Sequence, residues 1–117
     1  MFIALVITTV LLALICINSA VMKLRRSAQV VALIHETVGI PLRFLPALAA
    51  LEIAGAVGIL VGLWVRPIGL AAAVGLTAYF IGAVIGHLRV RDTKNLAMPL
   101  PPLVLALTVL ALRMATA

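Results

Sequence analysis

Apolar residues run through this chain in four blocks: Phe2 to Met22, Phe44 to Val65, Ile68 to Leu88 and Met98 to Leu112. Short polar stretches divide them and hold most of the charge. A run of about 18 or more apolar residues is long enough to cross a bilayer as a helix. Three blocks reach that length, and the fourth, at about 15 to 17 residues, suits a thin or locally compressed bilayer. The pattern predicts an all-α polytopic membrane protein, a four-transmembrane-helix bundle, with helices over about 2–22, 44–65, 67–88 and 98–115. Residues 1–117 then form a single transmembrane domain. The first block reads as a retained helix, because no Lys or Arg precedes it and "INSA" is a poor cleavage site.

Between the first two blocks the pattern changes to an amphipathic one. Arg25, Gln29, Ala32 and Glu36 share one helical face, and Val30, Val31, Ile34 and Val38 share the other. Ser27 is suited to an N-cap, and Gly39 followed by Pro41 is a stop signal. A short interfacial helix between helices 1 and 2 is expected, with His35 an interfacial residue on it. The second and third blocks meet at "LWVRP", a connection so short that their helices must be antiparallel neighbours. Trp64 there suits an interfacial anchor. "GILVG" and "GAVIG" match the small-xxx-small spacing that lets helix backbones approach in lipid, within the bundle or across a dimer.

Composition agrees with this reading. Hydrophobic residues are 66% of the 117 and charged residues 10%, against about 25% charged in a soluble domain. Mean hydropathy is +1.35. The net charge of +6 is sorted by side. Lys23, Arg25, Arg26, Arg43, Arg89, Arg91 and Lys94 follow helices 1 and 3, whereas Arg66 and Arg113 lie at the other end. The 1–2 and 3–4 connections are therefore expected to be cytoplasmic, with both termini outside and the basic residues against anionic headgroups. No basic patch is interleaved with stacking aromatics, so nucleic acid is not an expected partner. Arg113 is expected to snorkel outward.

Candidate chemistry is sparse. Glu52 lies in "ALEIAGAVGIL", about eight residues into helix 2. A charge at a helix centre opposes insertion by about 2.5–3.5 kcal/mol, and the surrounding aliphatics outweigh that. The carboxylate should still face protein or water, not lipid. Topology puts Asn18, Glu52 and His87 in one half of the bundle, and Tyr79, Ala83 and His87 follow helical spacing on helix 3. Asn18, Glu52, Tyr79 and His87 are the candidate ligand-binding cluster. A structural reading stands beside it: Glu52 as interhelical glue bonded to a backbone carbonyl or to Asn18, and His87 as a solvated residue at the interface. The single cysteine, Cys16, allows no internal disulfide. Two histidines without paired intramembrane spacing, one cysteine and three carboxylates point to neither haem nor metal. No Ser or Cys has an identifiable base beside it, so catalysis by this chain alone is not expected.

The residues "AVMKLRRSAQVV", "GIPLRFLPALAALEIAGAVGILVGLWVRPIG" and "AVGLTAYFIGAVIGHLRVRD" resemble the DoxX-like family of small four-helix membrane proteins over nearly the whole chain. The resemblance implies a bundle of the bacterial cytoplasmic (inner) membrane, often tied to redox complexes. The name-giving relative is a subunit of a thiosulfate:quinone oxidoreductase, and other relatives look like parts of oxidative-stress or thiol-homeostasis assemblies. It singles out Lys23, Glu52, His87 and Arg89, with Lys23 and Arg89 in supporting or headgroup-contacting positions. The leading expectation is an accessory subunit of a quinone- or thiol-linked membrane redox system, holding a quinone or lipid near Glu52, Tyr79 and His87. Its electrons come from a membrane or peripheral partner. The alternatives are a small proton-coupled transporter acting as a homodimer, and a ligand-free assembly or anchoring module.

Overall fold

The structure, a computed structural model, describes residues 2–25, 31, 39–90 and 99–115, apart from the side chain at 42. Among them are four α-helices and no strand: α1 (Phe2–Leu24), α2 (Leu45–Val61), α3 (Arg66–Arg89) and α4 (Leu100–Ala115). The bounds fall close to the expected ones, and α2 is shorter by a few residues at its C-terminal end. The expected interfacial helix, with His35, lies outside the described residues, as does the loop 91–98.

Local chemistry sets the helix ends. Gly39, at φ 90°, takes a backbone conformation that favours glycine, and a 3-10 turn over Leu42–Phe44 then leads into α2. Proline stands in the first turns of α2 and α3, where the missing N–H is not needed. Between them, Leu63 N–H bonds Leu60 O at 3.1 Å and Trp64 N–H bonds Val61 O at 3.0 Å, which closes the chain into a tight turn. Two threonines inside the helices bond their own helix backbone: Thr77 donates to Ala73 O at 2.7 Å and Thr108 to Val104 O at 2.8 Å.

The helices run alternately up and down, and α1 packs against α2 and α4 while α3 packs against α2 and α4. The core is a thin central column that includes Leu5, Leu12, Cys16, Ala56, Ile59, Ala73, Leu76, Phe80, Ala106 and Val109. Its large apolar residues are matched by many that face outward, among them Phe2, Ile7, Leu14, Leu51, Val57, Ile85 and Val104. α1 and α3 are long and apolar enough to cross a membrane. α2 and α4 are apolar but shorter, at 17 and 16 residues.

Small residues bring α2 and α3 together. A Cβ on Gly62 would lie 2.2 Å from the Gly69 Cα, one on Gly58 2.6 Å from the Ala72 Cβ, and one on Gly55 2.4 Å from a Leu76 methyl. "GILVG" is thus a contact inside the chain. In "GAVIG" a Cβ on Gly82 would meet nothing within 4 Å, as would one on Gly75. The Gly62–Gly69 crossing also corrects the expectation for Arg113. Its side chain turns inward and is 7% exposed, with Nη1 donating to Gly62 O at 2.6 Å, while Arg66 Nη2 donates to Arg113 O at 3.4 Å. A carbonyl at the end of α2 has no helical partner, and the guanidinium supplies one.

Candidate functional site

The buried residues of α1 include Leu5, Thr9, Leu12, Cys16, Ala20 and Lys23, and those of α2 are Leu45, Ala49, Glu52, Ala56 and Ile59. Both sets step by three or four residues, which marks the inward face of a helix. Lys23 and Glu52 therefore belong to the core stripes of two adjacent antiparallel helices. In a helix the Cα–Cβ bond tilts toward the N-terminus. On α1 this leans Lys23 back into the bundle, and on α2 it leans Glu52 toward the end where α1 finishes. The two side chains meet as a salt bridge, with Glu52 0% exposed and Lys23 7% exposed.

Glu52 Oε1 collects three donors. Lys23 Nζ donates to it, Ser19 Oγ donates at 3.2 Å, and the Tyr79 hydroxyl on α3 donates at 3.1 Å. Lys23 Nζ also donates to Ser19 Oγ at 2.7 Å, so Ser19, one turn before Lys23, links ammonium and carboxylate. The ammonium stands 6.0 Å from the centre of the Tyr79 ring, at the outer limit of a cation–π contact. Among the described residues the second oxygen, Oε2, is buried without a hydrogen-bond partner. Neutralisation by Lys23 and the two hydroxyl bonds make this carboxylate tolerable where water is excluded.

A cavity of about 430 Å³ adjoins this cluster at the end of the bundle where α1 and α3 finish and α2 and α4 begin. The space exists because α3 presents Gly82, Ala83 and Gly86 to it. Ile15, Met22 and Phe80 are among its apolar walls, and Ser19, Lys23 and Tyr79 form a polar edge. Glu52 stands behind that edge and does not line the space. A volume of this size falls in the range of small-molecule sites, about 300–1,000 Å³.

Of the residues singled out from the sequence, Glu52 and Tyr79 are in direct contact. Asn18 and His87 line the cavity, but no bond from Asn18 to Glu52 is formed: Asn18 Nδ2 points to the Met22 sulfur at 3.7 Å. His87 is 5% exposed, against the expectation of a solvated imidazole, because its side chain turns inward from the last turn of α3. Arg89, two residues on, is exposed. Lys23, expected in a supporting position, is instead the ion-pair partner of Glu52. Ser19 is new to the site. The signal for Lys23 is the α1 stripe itself, since Cys16, Ala20 and Lys23 continue its buried spacing to the helix end. Among the described residues no three His, Cys, Asp or Glu side chains are grouped as a metal site.

No curated protein and no solved structure matches this chain. The profile of the DoxX-like family matches residues 7–110, which takes in all of α2 and α3 and most of α1 and α4. The cluster built by Ser19, Lys23, Glu52 and Tyr79 falls wholly inside that match, and the chain belongs to the DoxX-like family.

Proposed function

We propose that this DoxX-like protein is a four-span protein of the bacterial inner membrane that holds a quinone- or lipid-sized amphiphile in the cavity beside Lys23 and Tyr79. In this reading it serves as an accessory subunit of a quinone- or thiol-linked redox system. The observation that carries the ligand reading is the cavity itself: largely apolar walls that also hold Asn18 and His87, about 430 Å³, and a polar edge backed by a buried ion pair. A quinone ring or a lipid head fits this mixture of apolar wall and few polar groups. A bound quinone supplies the electron and proton chemistry, and this chain positions it and excludes water.

Several features support the membrane part. The outward faces of the helices are apolar, and α1 and α3 have the length of a span. α2 and α4, at about 24–26 Å, match a hydrocarbon layer that is thin or drawn in locally. Arg25, Arg43 and Arg89 are exposed at one end, which supports the reading of that end, with the 1–2 and 3–4 connections, as the cytoplasmic one. Transport through a homodimer gains no support from this geometry, because α1, α2 and α3 of a single chain enclose Glu52.

Purification from native membranes in mild detergent tests the proposal. A bound isoprenoid quinone or lipid, together with a redox enzyme subunit, is the expected recovery. Protein that comes out of several gentle preparations with neither would contradict it.

A further inference from the structure

The arrangement of charge around the cavity narrows what it can take. An ammonium has three N–H donors. Among the described residues, two of those on Lys23 have acceptors, Ser19 Oγ and Glu52 Oε1. Lys23 also lines the cavity. One donor is therefore left for a bound molecule. The Lys23 charge, however, is already matched by Glu52, which lies directly behind it and is fully buried.

An anionic head drawn to the third N–H would share Lys23 with that carboxylate. Two negative charges would then stand against one ammonium, and with Lys23 and Glu52 both buried an excess charge beside them is costly. A head that is an acceptor but carries no charge meets no such opposition. The Tyr79 and Ser19 hydroxyl protons are both directed at Glu52, which leaves Lys23 as the donor to such a head along this edge.

Resting on the ligand reading above, we infer that the cavity selects uncharged amphiphiles with a carbonyl at the head, and rejects fatty acids and other anionic amphiphiles of the same chain length. Lys23 is the residue that recognises the carbonyl, and Glu52 is the positioning residue that removes the attraction for anions.

The test uses two redox-inert probes of matched length, 2-tridecanone and tridecanoate. The full-length protein in neutral-lipid nanodiscs is equilibrated with both, and bound molecules are counted by native mass spectrometry and corrected for uptake by empty discs. Both the wild type and His87→Gln are measured, so that charge on the wall histidine does not decide the result. The ketone is expected to exceed the carboxylate by about tenfold in each. Equal occupancy, or an excess of tridecanoate, would overturn the inference.

The double variant Lys23→Met/Glu52→Gln removes the charge pair without leaving a buried ion. It should bind the ketone about fivefold more weakly, the worth of one hydrogen bond. Ketone binding at the wild-type level would show that the apolar walls alone hold it. Ketone preference without isoprenoid or redox partner in native preparations keeps head selection and removes the redox reading. Isoprenoid recovery together with a carboxylate preference does the reverse.

Discussion

A lysine and a glutamate meeting at 7% and 0% exposure make each other possible and are costly to separate. Removing only the cation leaves the carboxylate uncompensated, and Lys23→Met should lower stability by about 3–5 kcal/mol. Adding Glu52→Gln removes the orphaned charge, so the double variant should recover most of that loss. Unfolding in mixed detergent micelles, read by helical signal, measures the cycle; additive losses from the two single changes would contradict a direct pair. Glu52 was legible in the sequence because a lone carboxylate among aliphatics must find protein. Lys23 was not, since it opens the basic run "KLRR", where a charge reads as headgroup contact. The direction of its side chain, back along α1, decides otherwise. Ser19 gave no signal of its own, being one small hydroxyl near a helix end.

The four helices were legible at the scale of elements, because runs of apolar residues broken by Pro, Gly and Arg leave few other solutions. What the pattern did not separate were the two small-xxx-small motifs, which look alike as letters. Space tells them apart: Gly62 lies against the Gly69 backbone, whereas Gly75 and Gly82 face open space. Gly62→Ala would place a Cβ 2.2 Å from the Gly69 Cα, and backbone cannot rotate aside. A loss of about 1–3 kcal/mol is expected, as for an overfilled core. Gly75→Ala should instead be neutral or add up to about 1 kcal/mol through helix propensity. Thermal unfolding of both in the same detergent checks this, and similar losses at the two positions would show that α3 uses Gly75 as a contact. Arg113 was misread for a related reason. Near a helix end, snorkelling is the ordinary behaviour of arginine, and the open carbonyl of Gly62 at the end of a neighbouring helix draws it inward.

Taken as a whole, the molecule is an apolar-faced bundle with polar chemistry concentrated toward one end, around a carboxylate that no solvent reaches. Four elements contribute to that end: α1 brings Ser19 and Lys23, α2 Glu52, α3 Tyr79 and the small residues that open the cavity, and α4 the wall at Pro102. The cavity was the part of the site not legible in sequence, since empty space depends on how four helices settle against one another. Its occupation by an amphiphile is the central claim. The most direct measurement counts extractable lipid or isoprenoid per protein after purification from native membranes, for the wild type and for Gly82→Leu. The substitution adds bulk to the cavity wall at a position where a Cβ meets nothing within 4 Å. The wild type should carry about one tightly held molecule per chain, and Gly82→Leu should fold equally well and lose it. Equal amounts in the two proteins, or none in the wild type, would contradict the account.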